Sequence, residues 1–249
     1  MSNSIIYIPK LNPKAKMQLL CIPYAGGSTR DFYDWIPRFP DIEFGLIAYP
    51  GRGHRIGEKP ILDINEMLQA IFNECKKVIT KEFSIFGHSM GSILSYGLAK
   101  RLEQSNLVAK CLFVSAAAAP TRYINESNTL SLLPDDEFIR VLVERYSAIP
   151  KQILKDKELI KMFVKIMRAD ISLEEQYIKK CTVETCNPIA SDIAAFGGLD
   201  DKAVTDHALS TWSPLTTGSF SKKMFPGTHF YLKEYPELLF KEISNILDI

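Results

Sequence analysis

Short apolar runs alternate along the chain with longer segments in which apolar residues recur at the helical period. The short runs predict strands at Gln18–Pro23, Phe44–Tyr49, Phe83–Phe86, Cys111–Ser115, Ile189–Phe196 and Phe220–Phe225, and Ile5–Ile8 predicts an antiparallel edge strand. The longer segments predict helices at about Thr29–Phe39, Ile64–Ile79, Ser89–Gln104, Thr205–Trp212 and Pro236–Leu247. This alternation is typical of a mostly parallel sheet that is covered by helices on both faces.

One stretch, from about Leu130 to Cys181, interrupts the alternation. It contains no convincing strand, only helical patterns at Asp135–Tyr146, Lys157–Met167 and Leu173–Lys180. One interpretation is an ordinary pair of crossover helices. The stretch is about 50 residues long, however, whereas a crossover connection needs only a dozen or more. We therefore expect a helical lid segment over the carboxyl ends of the strands, within a single domain that spans residues 1–249.

The composition narrows the class of protein. Of the 249 residues, 46% are hydrophobic, which suits one domain with a substantial core. Basic and acidic residues balance, 30 against 29, so we expect no general affinity for nucleic acid or an anionic membrane. No apolar run is long enough for a signal peptide or a membrane span. Five cysteines without a CxxC pair indicate reduced thiols in a cytoplasmic protein, although Cys181 and Cys186 leave one pairing open.

The segment Gly87-His88-Ser89-Met90-Gly91 is the first candidate for chemistry. A predicted strand precedes it and a predicted helix follows, which is the context of a nucleophile elbow in an α/β-hydrolase. The glycines permit a sharp turn that strains the serine backbone, and the helix N-terminus favours a developing oxyanion. We expect Ser89 to be the nucleophile and the Met90 N–H to be one oxyanion donor. The alternative is a serine in an ordinary glycine-rich turn.

A serine hydroxyl needs a positioned general base, which is normally histidine, and the chain has four histidines. In α/β-hydrolases the chain order is Ser, acid, His, which excludes His54 and His88. His207 lies in a short helical pattern typical of a surface residue. His229 follows a strand and a turn, where a base can reach the elbow. We therefore expect His229 to be the base.

The acid of such a set must lie between nucleophile and base and close to the end of a strand. Two adjacent carboxylates, Asp200 and Asp201, follow the predicted strand Ile189–Phe196 after a short glycine-containing loop. Asp192 lies within the strand itself, and the aspartates that begin the lid segment are further away in the predicted fold. Adjacent side chains point in different directions, so the position alone leaves both Asp200 and Asp201 open.

A second oxyanion donor is expected from the loop after the first long central strand. Here that loop is Pro23-Tyr24-Ala25-Gly26-Gly27-Ser28, and paired glycines permit the backbone to approach a ligand closely. The Ala25 N–H is the expected donor, with Gly26 as the less favoured candidate. A simple glycine turn without a role in catalysis is the alternative.

Five segments, in order along the chain, carry a family resemblance: Pro23–Ser28, Tyr49-Pro50-Gly51-Arg52-Gly53-His54-Arg55, Gly87–Gly91, Gly198-Leu199-Asp200-Asp201 and Gly227-Thr228-His229-Phe230. Together they resemble the stand-alone type II thioesterases of nonribosomal peptide and polyketide synthesis. Leu133–Phe138, Arg168-Ala169-Asp170 and Trp212 extend the resemblance over nearly the whole chain. The family pattern implies that Asp201, rather than Asp200, is the acid.

The resemblance implies a substrate and a partner. The substrate would be an acyl or aminoacyl group in thioester linkage to the phosphopantetheine arm of an acyl- or peptidyl-carrier protein, and the role would be the clearing of misprimed carriers. Arg52 and Arg55 either contact the carrier or pack within the protein. We expect a monomeric, cytoplasmic enzyme that uses no cofactor and no metal.

Three other interpretations stay open at this point. A medium-chain acyl-carrier thioesterase and a small-ester hydrolase would use the same Ser89, Asp201 and His229. A non-catalytic α/β-hydrolase that acts as a scaffold is the third, and the complete set of three residues argues against it.

Overall fold

A computed structural model describes residues 4–123, 129–146, 154–181 and 186–249, and its centre is a seven-stranded sheet. The strands are β1 (Ile6–Tyr7), β2 (Met17–Ile22), β3 (Ile42–Ile47), β4 (Phe83–His88), β5 (Cys111–Ser115), β6 (Asp192–Gly198) and β7 (Phe220–Phe225). Their order is β1-β3-β2-β4-β5-β6-β7. Only β1 is antiparallel to its neighbour in this sheet. The predicted mostly parallel sheet with an antiparallel edge strand is confirmed.

Helices cover both faces of this sheet. The α-helices are α1 (Ile64–Val78), α2 (Met90–Glu103), α3 (Asp135–Tyr146), α4 (Lys157–Lys180), α5 (Asp206–Ser210), α6 (Tyr231–Glu234) and α7 (Pro236–Leu247). The α1 and α2 helices pack on one face, and α7 packs on the other with the segment Thr29–Arg38. Every residue of β2 is buried, which explains why this strand is apolar at every position except Gln18 rather than alternating. No helix within the described residues is long and apolar enough to cross a membrane.

The sheet order creates a crevice between β2 and β4. The chain adds β3 on one side of β2 and then crosses to β4 on the other side, so the loops that follow β2 and β4 diverge. In open α/β sheets ligands bind at such a switch point, outside the carboxyl ends of the strands. The two loops at this point are Pro23–Ser28 and the turn that contains Ser89.

Several predicted elements begin or end a few residues away from their observed bounds, and two of the differences have a clear physical cause. The helical segment Thr29–Arg38 is a 3-10 helix that begins with a capping box from Ser28 and contains Pro37, which lacks a backbone donor. The strand predicted at Ile189–Phe196 begins its regular pairing only at Asp192, because Pro188 has no N–H and Ile189 forms a single bridge.

The described residues of the lid segment, Leu130–Cys181, form helices joined by short turns and contain no strand, and residues 147–153 lie outside the described residues. The two helical patterns predicted at Lys157–Met167 and Leu173–Lys180 form one continuous helix, α4. Asp170 lies between the two predicted patterns and inside this helix, and its carboxylate is buried and bonded to Arg52. The apolar side chains shared by α3 and α4 form a small core of their own that also contacts Ala25.

Candidate active site

Ser89 lies in a strained turn between β4 and α2. Its φ of 53° and ψ of −122° fall in a region that disfavours side chains, and its N–H donates to the carbonyl of Ser115 over 2.7 Å. A Cβ at Gly91 would lie 2.2 Å from the carbonyl oxygen of Ile22, and a Cβ at Gly87 would lie 2.2 Å from that of Gly91. The elbow is therefore held by backbone contacts that leave no room for a larger residue.

The structure brings together three of the predicted site residues in one hydrogen-bonded chain. The Oγ of Ser89 lies 3.1 Å from Nε2 of His229, and Nδ1 of His229 lies 2.8 Å from Oδ2 of Asp201. Both His229 and Asp201 are buried. Asp200 and His207, the competing candidates, are exposed to solvent. This is the arrangement in which a histidine can take a proton from serine while a carboxylate orients the ring.

Asp201 and His229, the candidate acid and base, reach each other because their loops follow neighbouring strands, β6 and β7. A Cβ at Gly198 would lie 2.2 Å from the carbonyl oxygen of Thr228, so the two loops are in contact at a distance that only glycine permits. The backbone N–H of Ala203 donates to Oδ1 of Asp201 over 2.8 Å. The other oxygen, Oδ2, is thereby directed at the imidazole ring.

The two loops at the switch point supply the candidate oxyanion donors. Met90 is the first residue of α2, so its N–H has no acceptor within the helix. In the other loop the Gly26 N–H donates to Oδ2 of Asp170 over 2.7 Å. Ala25 lines the same cavity as Ser89. Because Gly26 is engaged by Asp170, this geometry favours Ala25 over Gly26 as the partner of Met90.

A buried polar network beneath the elbow escaped the sequence analysis. The Oγ of Ser115 lies 2.8 Å from Nδ1 of His88 and 2.5 Å from the hydroxyl of Tyr231. The Ser92 hydroxyl donates to the carbonyls of Gly87 and Ser115 over 2.8 and 3.0 Å. Burial holds the pKa of His88 well below its usual range, so this ring is neutral and serves as packing. The only signal in the sequence is a serine that ends an apolar strand.

Ser89 and His229 open into a cavity whose walls come from the sheet and from the lid segment. The walls nearest the sheet are formed by Tyr24, Ala25, Ala116, Ala117, Tyr123, Ala203, Val204 and Phe230. The lid segment contributes Leu130, Leu142, Tyr146, Met167, Ile171 and Glu174. Alanine and other apolar side chains predominate, so the cavity suits an acyl chain attached to a carbonyl group at Ser89.

Arg52 and Arg55 are both buried, which favours packing over contact with a carrier. Arg55 donates to the carbonyl of Ala48 and pairs with Glu58 over 2.6 Å. Arg52 pairs with Asp170 of α4 over 2.8 Å. Both guanidinium groups therefore connect parts of this chain to one another.

Neither the cysteines nor the acidic residues form a metal site in the described part of the chain. All five cysteines are buried free thiols. Over the same residues, no group of three or more His, Cys, Asp or Glu side chains is placed to hold a metal ion.

Comparisons with known proteins match this chain to thioesterases or biosynthesis proteins over most of its length. A family model described as "Thioesterase domain" matches residues 17–247, which include all the candidate site residues. The gramicidin S biosynthesis protein GrsT of Aneurinibacillus migulanus is 37% identical over 226 residues, covering 90% of this chain and 86% of that protein.

Two further relatives also match most of the chain, at a lower sequence identity. The medium-chain S-acyl fatty acid synthase thioesterase of Rattus norvegicus is 31% identical over 229 residues, covering 89% of this chain and 83% of that protein. The solved structure of the type II thioesterase BorB, from the borrelidin biosynthetic cluster, is 30% identical and superposes with a TM-score of 0.82. That match covers 100% of this chain and 98% of the BorB chain.

Proposed function

The chain belongs to the thioesterase domain family and is a thioesterase, and we propose that it hydrolyses acyl or aminoacyl groups from the phosphopantetheine arms of carrier proteins. In this proposal its role is to clear misprimed assembly lines of nonribosomal peptide or polyketide synthesis. The observation that carries the proposal is the chain of hydrogen bonds from Ser89 through His229 to Asp201, at the mouth of an apolar cavity.

The first half of the proposed reaction transfers the acyl group to the enzyme. The Oγ of Ser89 attacks the thioester carbonyl carbon while Nε2 of His229 takes the hydroxyl proton. The negative charge that develops on the carbonyl oxygen is stabilised by the N–H groups of Met90 and Ala25. The carbon–sulfur bond then breaks, and the imidazolium returns its proton to the pantetheine sulfur.

The second half releases the acid. His229 takes a proton from a water molecule, whose oxygen attacks the carbonyl of the acyl-serine. The same two N–H groups receive the second oxyanion, and the proton on His229 passes to Oγ of Ser89 as the ester bond breaks. Asp201 fixes the tautomer and orientation of the ring in both halves. This chemistry requires no metal and no cofactor of the enzyme's own.

The relatives support a partner that presents a thioester. GrsT is named as a gramicidin S biosynthesis protein, and BorB is named as a type II thioesterase of a biosynthetic cluster. A carrier protein presents its acyl group at the end of a long flexible arm, and such an arm suits a cavity that lies beneath the lid segment. The proposal includes a monomeric enzyme in the cytoplasm, an environment in which its five free thiols stay reduced.

The second candidate is a medium-chain thioesterase that releases fatty acids from a carrier. The similarity to the fatty acid synthase thioesterase of Rattus norvegicus favours this candidate, and the apolar cavity is compatible with it. The two candidates differ in the acyl group that is preferred, not in the chemistry at Ser89.

Intact mass spectrometry of loaded carrier proteins tests the proposal. Peptidyl- and acyl-carrier proteins are charged with short acyl, aminoacyl and medium-chain fatty acyl groups, and their masses are recorded before and after addition of enzyme. We expect rapid loss of short acyl and aminoacyl groups from the arm, and no loss with the Ser89→Ala control. Preference for medium-chain groups would establish the second candidate. Faster turnover of free short esters than of every loaded carrier would contradict both.

A further inference from the structure

Asp170, in the Arg168-Ala169-Asp170 segment of the lid, has no part in the hydrogen-bonded chain at Ser89, yet its carboxylate is a buried charge that connects the lid to the loop after β2. Its side chain is 4% exposed. Its Oδ2 accepts the Gly26 N–H over 2.7 Å, and its two oxygens lie 3.0 and 2.8 Å from Arg52. One carboxylate on α4 thus holds the backbone of that loop.

We propose that Asp170 is a positioning residue that sets the oxyanion donor Ala25 by fixing the neighbouring Gly26 N–H. This inference rests on the proposed function of Ser89 and Ala25. Asp170 does not touch the reacting atoms. It acts through the loop, because a planar peptide unit joins the Gly26 N–H to the Cα of Ala25, and the Ala25 N–H is bonded to that same Cα.

The loop is fixed at two points, its start and Gly26, by one connected set of contacts. The hydroxyl of Tyr49 donates to the carbonyl of Pro23 over 3.0 Å, at the start of the loop. The guanidinium carbon of Arg52 lies 4.3 Å from the centre of the Tyr49 ring, so the ring and Asp170 hold the same side chain. Removing Asp170 therefore frees the loop at Gly26 while the Tyr49 contact keeps its start in place.

Steric contact couples the loop to α4 more tightly still. Gly26 has a φ of 78°, and a Cβ built there would lie 2.5 Å from the sulfur of Met167, one turn before Asp170. Met167 and Ala25 also belong to the small apolar core of the lid segment. The loop after β2 consequently keeps this position only while α4 is in contact with it.

The electrostatics indicate that this arrangement is kept at a cost. Burial raises the pKa of Asp170, against the opposing effect of Arg52, so the fold disfavours the ionised carboxylate overall. Buried ion pairs can often be replaced by apolar residues without loss of stability. The contact with the Gly26 N–H gives this buried charge a role other than stability.

Two double variants separate this role from simple neutralisation of Arg52. Arg52→Met with Asp170→Leu, the apolar double variant, removes both charges and also the acceptor for Gly26. Arg52→Met with Asp170→Asn, the amide double variant, removes both charges but keeps an amide oxygen as acceptor. We expect the apolar double variant to retain a melting temperature close to that of the native protein, with a kcat lower by about 10- to 100-fold and a nearly unchanged KM, as for a displacement of about 1 Å. We expect the amide double variant to recover most of the lost kcat.

The matched control is Asp135→Asn, which breaks an exposed ion pair of the same helix. Asp135 contacts Arg168 of α4 over 2.6 Å, on the surface and away from the loop after β2. We expect its kcat to stay within about twofold of the native value, as for a surface ion pair. An equal loss in this control would show that any disturbance of α4 suffices, and it would overturn the inference.

A pair of inhibitors provides a readout that a merely structural role would not change. A trifluoromethyl ketone analogue of the acyl chain forms a tetrahedral adduct with an oxyanion at Ser89, whereas the corresponding thioether does not. In the apolar double variant we expect the affinity for the ketone to fall in proportion to kcat, with the thioether affinity unchanged. Equal weakening of both inhibitors, or a native kcat in this variant, would overturn the inference.

Two measurements distinguish failure of this inference from failure of the proposed function. Amide hydrogen exchange at Gly26 reports the contact directly, and we expect it to be at least about 10-fold faster when the acceptor is lost. Labelling of Ser89 by a fluorophosphonate depends on the serine and the oxyanion donors but on no carrier substrate. If the apolar double variant is labelled more slowly than the native protein, and the native protein is inactive towards every loaded carrier, the proposed substrate is refuted and the role of Asp170 stays supported. Unchanged labelling and exchange would refute the role of Asp170 alone.

Discussion

The elbow and the lid segment line the same cavity, but different kinds of contact hold them in place. The elbow is fixed by main-chain contacts, such as the hydrogen bond from Ser89 to Ser115 and the close approach of Gly91 to Ile22. The lid segment is fixed by a small apolar core and by side-chain contacts such as that between Asp170 and Arg52. The candidate nucleophile is therefore held by backbone contacts, whereas the part of the cavity wall that the lid segment forms is held by side chains that a substitution can replace.

The largest expected effect tests whether the elbow supplies the chemistry. We expect Ser89→Ala to lower kcat by about 10⁶-fold, because the nucleophile of the proposed reaction is lost. Steady-state hydrolysis of a loaded carrier measures this effect, and circular dichroism checks that the variant is folded. A loss of less than about tenfold would show that Ser89 is not the nucleophile.

The next largest effect tests which aspartate, Asp201 or Asp200, is the acid of the proposed reaction. We expect Asp201→Asn to lower kcat by about 10⁴-fold, because an amide at this position favours the wrong tautomer of His229. The matched control is Asp200→Asn, one residue away and exposed, for which we expect a change of less than about twofold. A larger loss in the control than in Asp201→Asn would reverse the assignment of the acid.

The third prediction concerns the lid segment alone. Phe138 is fully buried in the small core of the lid segment. We therefore expect Phe138→Ala to lower the stability of that core by about 3–5 kcal/mol. We expect amide hydrogens of α3 and α4 to exchange about 10²-fold faster, while those of β4 and β5 keep their native rates. The control is Leu159→Ala, because Leu159 lies on α4 and is 47% exposed. This variant should leave the exchange rates of the helices and of the strands unchanged. Equal acceleration in the sheet would mean that lid and sheet unfold as one unit.

The smallest expected effect tests the steric part of the comparison. We expect Gly91→Ala to lower the free energy of unfolding by about 1–3 kcal/mol, because its Cβ would lie 2.2 Å from the Ile22 carbonyl oxygen. Gly57→Ala, where nothing lies within 4 Å of the added Cβ, is the control and should change stability little. Urea denaturation of both variants measures the difference. A stable Gly91→Ala variant would show that the elbow tolerates movement.

The sequence by itself determined the residues whose position depends on short local patterns. The elbow follows from a strand, two glycines and a helix in succession, and chain order together with local context selects His229 among four histidines. Spacing alone left Asp200 and Asp201 equal, since either can follow the end of β6. The structure separates them because a glycine-to-carbonyl contact at Gly198 and a hydrogen bond from Ala203 direct one carboxylate towards the ring.

Only the tertiary structure decided the contacts between residues far apart in the chain. Arg52 and Asp170 are 118 positions apart, and Gly26 and Asp170 are 144 apart, so no local period or spacing relates them. The extent of α4 was also decided by the structure, since the two helical patterns predicted from the sequence form one continuous helix. Local patterns specify the backbone that carries the candidate catalytic residues, whereas the effect of a buried charge depends on the partner that the fold places beside it.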